Sequence, residues 1–397
     1  MNAEIFRWAR ETSGWSLDRA AKALGIKNVA RLQEIETGLK EPSSALLLRM
    51  AKQYRRPLVT FYLAGPPEKG NRGQDFRTLP GDRSTADDAL LDALIRDVQA
   101  RQEVIRSLVE DDDDAERMRF VGANRMSDGV STVLKSIMST IGIELGAYRR
   151  EKSSEKAFAY LRKSAESAGI FVLLMGNLGS HHSNISVETF RGFAIADAFA
   201  PFVVINDQDA RTAWSFTLLH ELAHLWLGIT GVSGADAEQD VERFCNDVAS
   251  RFLLLDGEID QLRISDSTPF ATALPLLGRF AGERNLSRKM LAYRLFRADK
   301  VSRATWKRLD RALSEIRRTE RAAEKEESNS EDPSSGPSYY VVRRHRLGGA
   351  LLSLVGQSME AGSLTPVKAA RVLGVKPRSV YPLLMNRDRF SSMGAQS

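Results

Sequence analysis

The sequence lacks the features of a secreted or membrane protein. Its 397 residues include a single cysteine, Cys245, which excludes an internal disulfide and fits a reducing compartment. No apolar run approaches the roughly 20 residues that span a bilayer, and the amino terminus, Met-Asn-Ala-Glu-Ile-Phe, has no signal-peptide pattern. We therefore expect a cytoplasmic protein with no membrane partner.

A large excess of either charge is also missing. The chain has 57 Lys and Arg against 51 Asp and Glu, and the basic residues are spread widely. The net charge of +6 therefore gives only modest support for nucleic acid binding. Hydrophobic residues, at 43%, are at the level of an ordinary globular protein, and the length predicts two or three domains.

Histidine is scarce as well, yet two of the five histidines stand four residues apart in His220-Glu221-Leu-Ala-His224. On a helix, this spacing places both imidazoles on one face, where they can bind one ion. His-Glu-x-x-His is the zincin arrangement, in which the Glu is the general base for the water on the metal. The rest of the helix is apolar almost all round, so we expect it to be buried around a divalent cation. The alternative is a chance motif on a surface helix.

A third ligand is expected from the next helix, predicted over Asp236–Leu255. Glu242 borders the apolar face of this helix and would leave a fourth position for water. Glu238 lies one turn earlier, and composition alone does not choose between the two carboxylates.

Three short segments have the apolar, β-branched character of strands: Ile170–Met175, Val187–Ile195 and Phe202–Ile205. The second contains Arg191-Gly192-Phe193, which we expect at the edge of the active-site cleft. Such an edge can pair with an extended substrate backbone, and the alternative is an ordinary sheet strand. We interpret His181 and His182 as loop residues, and the acidic run Asp111–Asp114 as a solvated loop.

Residues 1–67 are predicted to form short helices, two of which are joined by a glycine turn as in a helix-turn-helix. Here the sequence resembles the XRE family (Cro/repressor type). The matching residues are Leu17, Ala20, Ala21, Leu24, Gly25, Ile26, Leu32, Ile35, Glu36, Gly38 and Pro42. If this unit binds DNA, Lys27, Asn28, Arg31 and Gln33 face the groove and Lys40 lies near the backbone. The alternative is a helical docking module that does not bind DNA.

The remaining segments give the predicted domain boundaries. Residues 68–83 are a linker that contains Asp75-Phe76-Arg77, and 84–318 are the peptidase with its flanking helices, with a core at about 155–260. Residues 319–338 are a linker predicted to be disordered. Residues 339–397 form a small helical unit, in which Ala369-Ala370…Leu373-Gly374-Val375 echoes Ala20-Ala21…Leu24-Gly25-Ile26.

The central region resembles the ImmA/IrrE metallopeptidase family. The first motif extends from Arg191-Gly192-Phe193 through His220-Glu221…His224, and the second is Glu242-Arg-Phe-Cys245-Asn246…Ala249. The resemblance implies that His220, His224 and Glu242 bind zinc, that Glu221 is the base and that Cys245 is a packing residue. It also implies a substrate, since family members cleave XRE-type repressors. The sequence departs from the family only at the helix end, which reads Phe-Leu-Leu-Leu-Asp at 252–256.

The predicted fold is multidomain and mainly α, with an all-α helix-turn-helix, a central α+β zincin-like peptidase and a small helical carboxyl-terminal unit. The predicted function is a zinc endopeptidase that cleaves an XRE-type repressor, with manganese or iron as alternative metals. A different class is a DNA-binding regulator or antitoxin-like protein whose peptidase fold is a sensor or dimerisation body. Tyr293, Arg191 and His182 are candidates for stabilising the transition state, and the oligomeric state is left open.

Overall fold

A computed structural model describes residues 1–67, 85–111, 115–179, 183–229, 235–330 and 338–385. The chain divides into two compact units, one made of Met1–Ala100 with Gly176–Phe190 and the other of Arg101–Met175 with Arg191–Ser397. Several predicted features lie outside the description: the linker at 68–83, the acidic residues 112–114, the histidines at 181 and 182, and the side chain of Glu238. Within the described residues no helix is both long and apolar enough to cross a membrane.

Four α-helices and a 3₁₀ turn make up residues 1–67. They are α1 (Ala3–Glu11), α2 (Leu17–Leu24), α3 (Val29–Glu36), α4 (Ser44–Gln53) and the turn Leu58–Tyr62. Each α-helix is preceded by a residue whose side chain accepts a hydrogen bond from its first turn: Asn2, Ser16, Asn28 and Ser43. Helix α2 ends at Gly25, which has a left-handed φ of +69°, and the chain then turns into α3.

The apolar faces of these helices enclose a core that includes Ile5, Phe6, Leu24, Leu32, Ile35, Met50 and Phe61. A buried ion pair crosses this bundle, since Arg10 Nε lies 2.7 Å from Glu36 Oε1 and Arg10 Nη2 lies 2.9 Å from Oε2. The same guanidinium donates to the carbonyl of Trp15. Because both charges are paired and hydrogen-bonded, the pair fixes α1 against α3 without leaving a bare buried charge.

The second unit contains a three-stranded sheet in the order β1-β3-β2, with β1 at Phe171–Leu174, β2 at Gly192–Ile195 and β3 at Phe202–Ile205. Strand β3 pairs in parallel with β1 and antiparallel with β2, in a register that places Gly192 opposite Ile205. Strand β2 covers only the second half of the segment predicted as Val187–Ile195. The residues before it are turns and bends, and Ser186 and Glu188 hydrogen-bond to each other there.

Six α-helices precede or follow these strands in the sequence. They are α5 (Thr85–Glu110), α6 (Val130–Ile141), α7 (Leu145–Arg150), α8 (Ser154–Ser167), α9 (Arg211–Leu227) and α10 (Ala235–Leu253). Helix α9 is central, because it contacts α6, α8 and α10 as well as strands β2 and β3. Its apolar residues join a core that includes Leu161, Val203, Leu218, Leu222, Trp226, Val248 and Phe252.

Three further helices follow: α11 (Phe270–Gly282), α12 (Arg288–Arg297) and α13 (Arg303–Ser330). Helix α13 continues to Ser330, past residue 319, where a disordered linker was predicted to begin. The reason is composition, since the segment is rich in Ala, Glu, Lys and Arg, which have high helix propensity, and Arg317 pairs with Glu320 at i,i+3. The low hydrophobicity of this segment predicts that it does not join a hydrophobic core. It does not exclude a helix that lies outside a core.

Residues 338–385 form α14 (Tyr339–Leu347), α15 (Gly349–Glu360), α16 (Pro366–Leu373) and α17 (Val380–Met385). Helix α14 packs against the edge strand β1. The Arg162 guanidinium, on α8, donates to the carbonyls of Val172 in β1 and His345 in α14, both at 2.5 Å. These helices therefore pack on the peptidase sheet. The observed architecture confirms the predicted multidomain, mainly α fold with a small sheet.

Candidate metal centre

Helix α9 places His220 and His224 side by side. The helix is buried on nearly every face, and the two histidines are only 9% and 8% exposed. Their Nε2 atoms lie 3.1 Å apart, as the four-residue spacing predicts for two imidazoles one turn apart. Helix α9 ends at Gly228 in the left-handed conformation, so the chain can turn back towards α10.

Helix α10 brings a carboxylate to the two histidines. Glu242 Oε2 lies 3.2 Å from His220 Nε2, and Glu242 Oε1 lies 3.2 Å from His224 Nε2. Zinc binds nitrogen and oxygen at about 2.0–2.2 Å, so two donor atoms of a tetrahedral site are separated by about 3.3 Å. Each separation is close to this tetrahedral edge, with a different Glu242 oxygen facing each histidine, and one donor atom from each residue lies within 4.8 Å of the other two. These residues are the one metal-capable group of His, Cys, Asp and Glu within the described residues. The Glu242 side chain is 47% exposed, which leaves the site open to solvent on that side.

The charges in this cluster favour a cation. Burial lowers the pKa of His220, but the hydrogen bond and negative charge of Glu242 outweigh burial and raise the pKa to about 8. Burial likewise lowers the pKa of His224, and contacts with Cys245 and Glu242 raise it to about 10. Burial alone would raise the pKa of Glu242, whereas its hydrogen bonds with the two histidines hold that pKa well below the usual range. The two histidines thus favour their protonated form beside the Glu242 carboxylate. The cluster therefore stabilises positive charge at the position where a divalent cation would bind.

Strand β2 lies directly against Glu221. A Cβ atom at Gly192 would be 2.8 Å from Glu221 Oε1, 2.6 Å from Thr217 Cγ2 and 3.1 Å from the carbonyl of Val204. Only a glycine therefore allows the strand to approach this closely. Since Glu221 is 5% exposed and follows His220 in α9, its carboxylate lies between the strand and the histidines' helix.

Comparison with protein families agrees with this geometry. Residues 165–296 match the peptidase family described as the IrrE N-terminal-like domain, and residues 6–61 match the family described as helix-turn-helix. The two matches, in this order along the chain, agree with the predicted fusion of a helix-turn-helix to an ImmA/IrrE-like region. A search of curated proteins and a search of solved structures each found no match. The match covers the sheet, α9 and α10, so the metal centre lies within a metallopeptidase-like domain.

The peptidase domain separates the predicted site residues into two groups. Gly192 is brought to Glu221, while Phe193 is buried and the exposed Arg191 pairs with Asp209 at 3.3 Å. Tyr293 is held elsewhere, because its hydroxyl donates to Asp247, a residue that also pairs with Arg297. Neither Arg191 nor Tyr293 is therefore assigned to the transition state on these contacts, and His182 lies outside the described residues.

Cys245 is fully buried in the domain, and burial raises the pKa of its thiol. A buried, protonated thiol is a poor nucleophile. This agrees with the interpretation of Cys245 as a packing residue beside the histidines.

One feature of the centre had no signal in the sequence. The last carbonyls of α9 accept hydrogen bonds from residues a hundred positions earlier, since Gly122 N donates to Leu225 O and Asn124 N donates to Trp226 O, each at 3.0 Å. Gly228 makes the approach possible, because a Cβ atom there would lie 2.8 Å from the Cα of Gly122. Because this cap is made of backbone groups, no pattern of side chains in the sequence predicts it.

The helix-turn-helix domain exposes all five predicted DNA-binding residues. Asn28 is also the cap of α3, since its side chain accepts from Ala30 N at 3.0 Å. Lys40 pairs with Glu34 at 2.6 Å, which reduces the positive charge it offers to a phosphate. Lys27, Arg31 and Gln33 stand on the outer side of the turn and of α3, where base contacts are made in helix-turn-helix proteins.

Proposed function

We propose that the protein is a zinc-dependent endopeptidase that cleaves an XRE-type repressor and so releases genes of a stress response or mobile element. The observation that carries the proposal is the triangle of donor atoms from His220, His224 and Glu242, with Glu221 between the triangle's helix and an edge strand. Two imidazoles and one carboxylate suit zinc and leave a coordination position for water. Manganese or iron is the alternative occupant.

Glu221 is the proposed general base. A bound zinc ion would supply Lewis acidity towards the substrate carbonyl and lower the pKa of water. The Glu221 carboxylate would take the proton of the attacking water and transfer it to the amine nitrogen that leaves. Its position beside Gly192 suits this role, because a substrate along β2 would present its backbone next to the carboxylate.

Strand β2 is the proposed substrate platform. Asn206 N donates to the carbonyl of Arg191, so these two residues are a hydrogen-bonded pair at the end of the antiparallel strands β2 and β3. Since bonded and non-bonded pairs alternate in antiparallel strands, the backbone groups of Gly192 and Ala194 point away from β3. An extended peptide could pair with these groups by adding a strand to the sheet, with Arg191, Gly192 and Phe193 as its neighbours.

The helix-turn-helix suggests the substrate class. If the exposed Lys27, Asn28, Arg31, Gln33 and Lys40 bind DNA, the protease is held on DNA close to a repressor bound at a neighbouring site. Tethering raises the effective concentration of the substrate without a large protein interface. The alternative proposal is a DNA-binding regulator or antitoxin-like protein whose peptidase fold serves as a sensor or dimerisation body.

The test measures metal content and cleavage together. Wild type, Glu221→Gln and Glu242→Ala are purified, analysed for metal by mass spectrometry, and incubated with the XRE repressor encoded nearest to the gene. We expect about one zinc per chain in wild type and Glu221→Gln and loss of zinc in Glu242→Ala. Cleavage should occur with wild type only, with at least a ~100-fold loss in Glu221→Gln.

Glu103→Gln is the matched control, since Glu103 is an exposed carboxylate on α5. It should keep both the metal and the cleavage activity. Absence of metal from the folded wild type would contradict the peptidase and favour the DNA-binding regulator.

A further inference from the structure

A segment near the carboxyl terminus repeats the backbone of the amino-terminal helix-turn. Thr365 Oγ1 caps α16 by accepting from Lys368 N, as Ser16 Oγ caps α2 by accepting from Arg19 N. Both helices have eight residues and end at a left-handed glycine. Gly374 has φ, ψ of +60°, +40° and Gly25 has +69°, +28°.

The likeness extends through the turn and into the core. Val375 N donates to Ala370 O at 3.0 Å, as Ile26 N donates to Ala21 O at 2.8 Å. The residues buried on each first helix also correspond: Ala369, Ala370 and Leu373 in α16, and Ala20, Ala21 and Leu24 in α2. Each second helix then buries two apolar residues three positions apart, which are Val380 and Leu383 in α17, and Leu32 and Ile35 in α3. The carboxyl-terminal segment differs in three ways: the first buried residue of its second helix follows the first helix one position sooner, a 3₁₀ turn at Pro377–Ser379 precedes α17, and α17 has six residues where α3 has eight. The order of helix, glycine turn and second helix is the same.

The outer surface of the second segment is cationic. Lys368, Arg371, Lys376 and Arg378 are all exposed, and within the described part of the chain none of the four forms an ion pair. Tyr381, in the first turn of α17, is 53% exposed beside them. A flexible cation with no carboxylate partner keeps its full charge for a ligand.

Two other arginines of this unit have a different task. Arg343 donates to the carbonyls of Leu373 and Gly374, and Arg344 donates to the carbonyl of Leu383. These bonds satisfy the ends of α16 and α17 and hold the two helices against α14. Arg343 and Arg344 therefore stabilise the fold of this unit. The four exposed cations are available to a ligand.

This unit carries a large excess of positive charge. Residues 338–385 contain seven Lys and Arg against a single acidic residue, Glu360, which gives a net charge of +6. The net charge of the entire chain is also +6, so the remaining residues are neutral as a set. Residues 1–67 also have a net charge of +5, from 11 Lys and Arg against six Asp and Glu, so both segments with a helix-turn-helix pattern are positively charged. Such a surface attracts a polyanion.

We propose that residues 365–385 are a second helix-turn-helix that binds duplex DNA through Lys368, Arg371, Lys376 and Arg378. Duplex DNA is favoured over an acidic peptide because in this scaffold the second helix lies in the major groove while the first helix crosses the phosphate backbone. Lys368 and Arg371 are three residues apart on one helix face, and Lys376 and Arg378 follow the turn. The chain would then hold DNA at both ends, independently of peptidase activity.

The test is the salt dependence of binding to a mixed-sequence duplex by the full-length protein. Both variants are made in a Lys27→Gln, Arg31→Gln background, which weakens the amino-terminal contribution equally. The test variant adds Lys368→Gln, Arg371→Gln, Lys376→Gln and Arg378→Gln. The control adds Lys135→Gln, Lys152→Gln, Lys156→Gln and Lys163→Gln, four exposed and unpaired lysines of the peptidase unit within the described residues.

Since each phosphate contact contributes about 0.9 to the slope of log K against log salt, the test variant should lower the slope by about 2 to 4. Its affinity at moderate salt should fall about ten-fold or more, while the control stays within about two-fold of the background. Equal changes in the two variants, or no change in the test variant, would overturn the proposal. Loss of poly-glutamate binding with duplex binding intact would also overturn it, in favour of an acidic protein partner.

A second measurement locates the contact. Because the one native cysteine is fully buried, Tyr381→Cys provides one accessible thiol for an iron-EDTA cleavage reagent. Cuts in bound DNA should appear with Tyr381→Cys and be absent with Lys163→Cys, which carries the reagent on α8. No cuts from position 381 while the protein is bound would overturn the proposal.

Discussion

At the scale of single residues, the close approach of Gly192 to Glu221 predicts that a larger side chain at position 192 lowers both stability and activity. Gly192→Ala would place a methyl group 2.6 Å from Thr217 Cγ2 and 2.8 Å from Glu221 Oε1, so the strand or the carboxylate must move. We expect the free energy of unfolding to fall by about 1–3 kcal/mol, and kcat/KM to fall with it. Chemical denaturation and a cleavage assay measure the two effects.

Gly278→Ala is the matched control for this substitution. Gly278 lies inside α11, and a Cβ atom there would meet nothing within 4 Å. Alanine should therefore raise the free energy of unfolding by up to about 1 kcal/mol through helix propensity. A Gly192→Ala protein as stable and as active as wild type would contradict the tight approach.

The site was predictable where chemistry depends on spacing within one helix. His220, Glu221 and His224 were identified because four residues make one turn of a helix. The choice of Glu242 over Glu238 came from family resemblance, since both lie on one predicted helix and the choice depends on how α10 crosses α9. The role of Gly192 as the neighbour of Glu221 depends on strand placement, which no local pattern encodes.

At the scale of elements, strand β2 is the part on which the proposed substrate binding depends. Ala194→Pro removes the N–H group that points away from β3 and leaves the hydrogen bonds to β3 in place. We expect cleavage to fall at least ~10-fold, as for loss of a backbone hydrogen bond with misplacement of the peptide, with metal content unchanged. Metal analysis and peptide kinetics on the same preparation measure this.

Ala194→Gly is the companion variant, since it keeps the amide N–H while it also alters the side chain. It should retain most of the activity. Equal loss in both variants would mean that the side chain at 194, and not pairing along the edge, supports the reaction.

Helices were more predictable than strands in this chain. The helix predicted at Asp236–Leu255 agrees with α10 within a few residues, and residues 1–67 form short helices as predicted, because caps and periodic apolar faces mark them. Val187–Ile195 was predicted too long, since alternating polarity continues through turns before Gly192. Helices α6 and α7 were not assigned at all, and the predicted domain boundaries stay predictions.

At the scale of the whole molecule, two hydrophobic cores that share no residue predict separate unfolding transitions. One core lies in α1–α4, and the other surrounds the sheet and α9. If zinc binds the proposed site in the folded state alone, a free concentration ~100 times Kd should stabilise the larger core by about 2.7 kcal/mol. Differential scanning calorimetry with zinc and with a chelator should therefore shift one transition and leave the other unchanged.

The Glu242→Ala protein distinguishes this effect from general metal binding. Its larger core should unfold at the same temperature with zinc and with chelator. A shift of both transitions, or a persistent shift in Glu242→Ala, would mean that the ion binds somewhere other than the His220, His224 and Glu242 triangle.

Arg162 affects what happens to the protein when a protease cleaves its backbone before α14. Its buried guanidinium divides its donors between the carbonyl of Val172 in the sheet and those of His345 and Arg346 in α14. Losing the residues after 337 would remove the His345 and Arg346 carbonyls, at a cost of about 1–3 kcal/mol, while the ion pair with Glu166 and the bond to Val172 stay in place. A protease that cuts between 331 and 337 would therefore produce two fragments that stay together as a non-covalent complex, and they would separate only when the larger core unfolds.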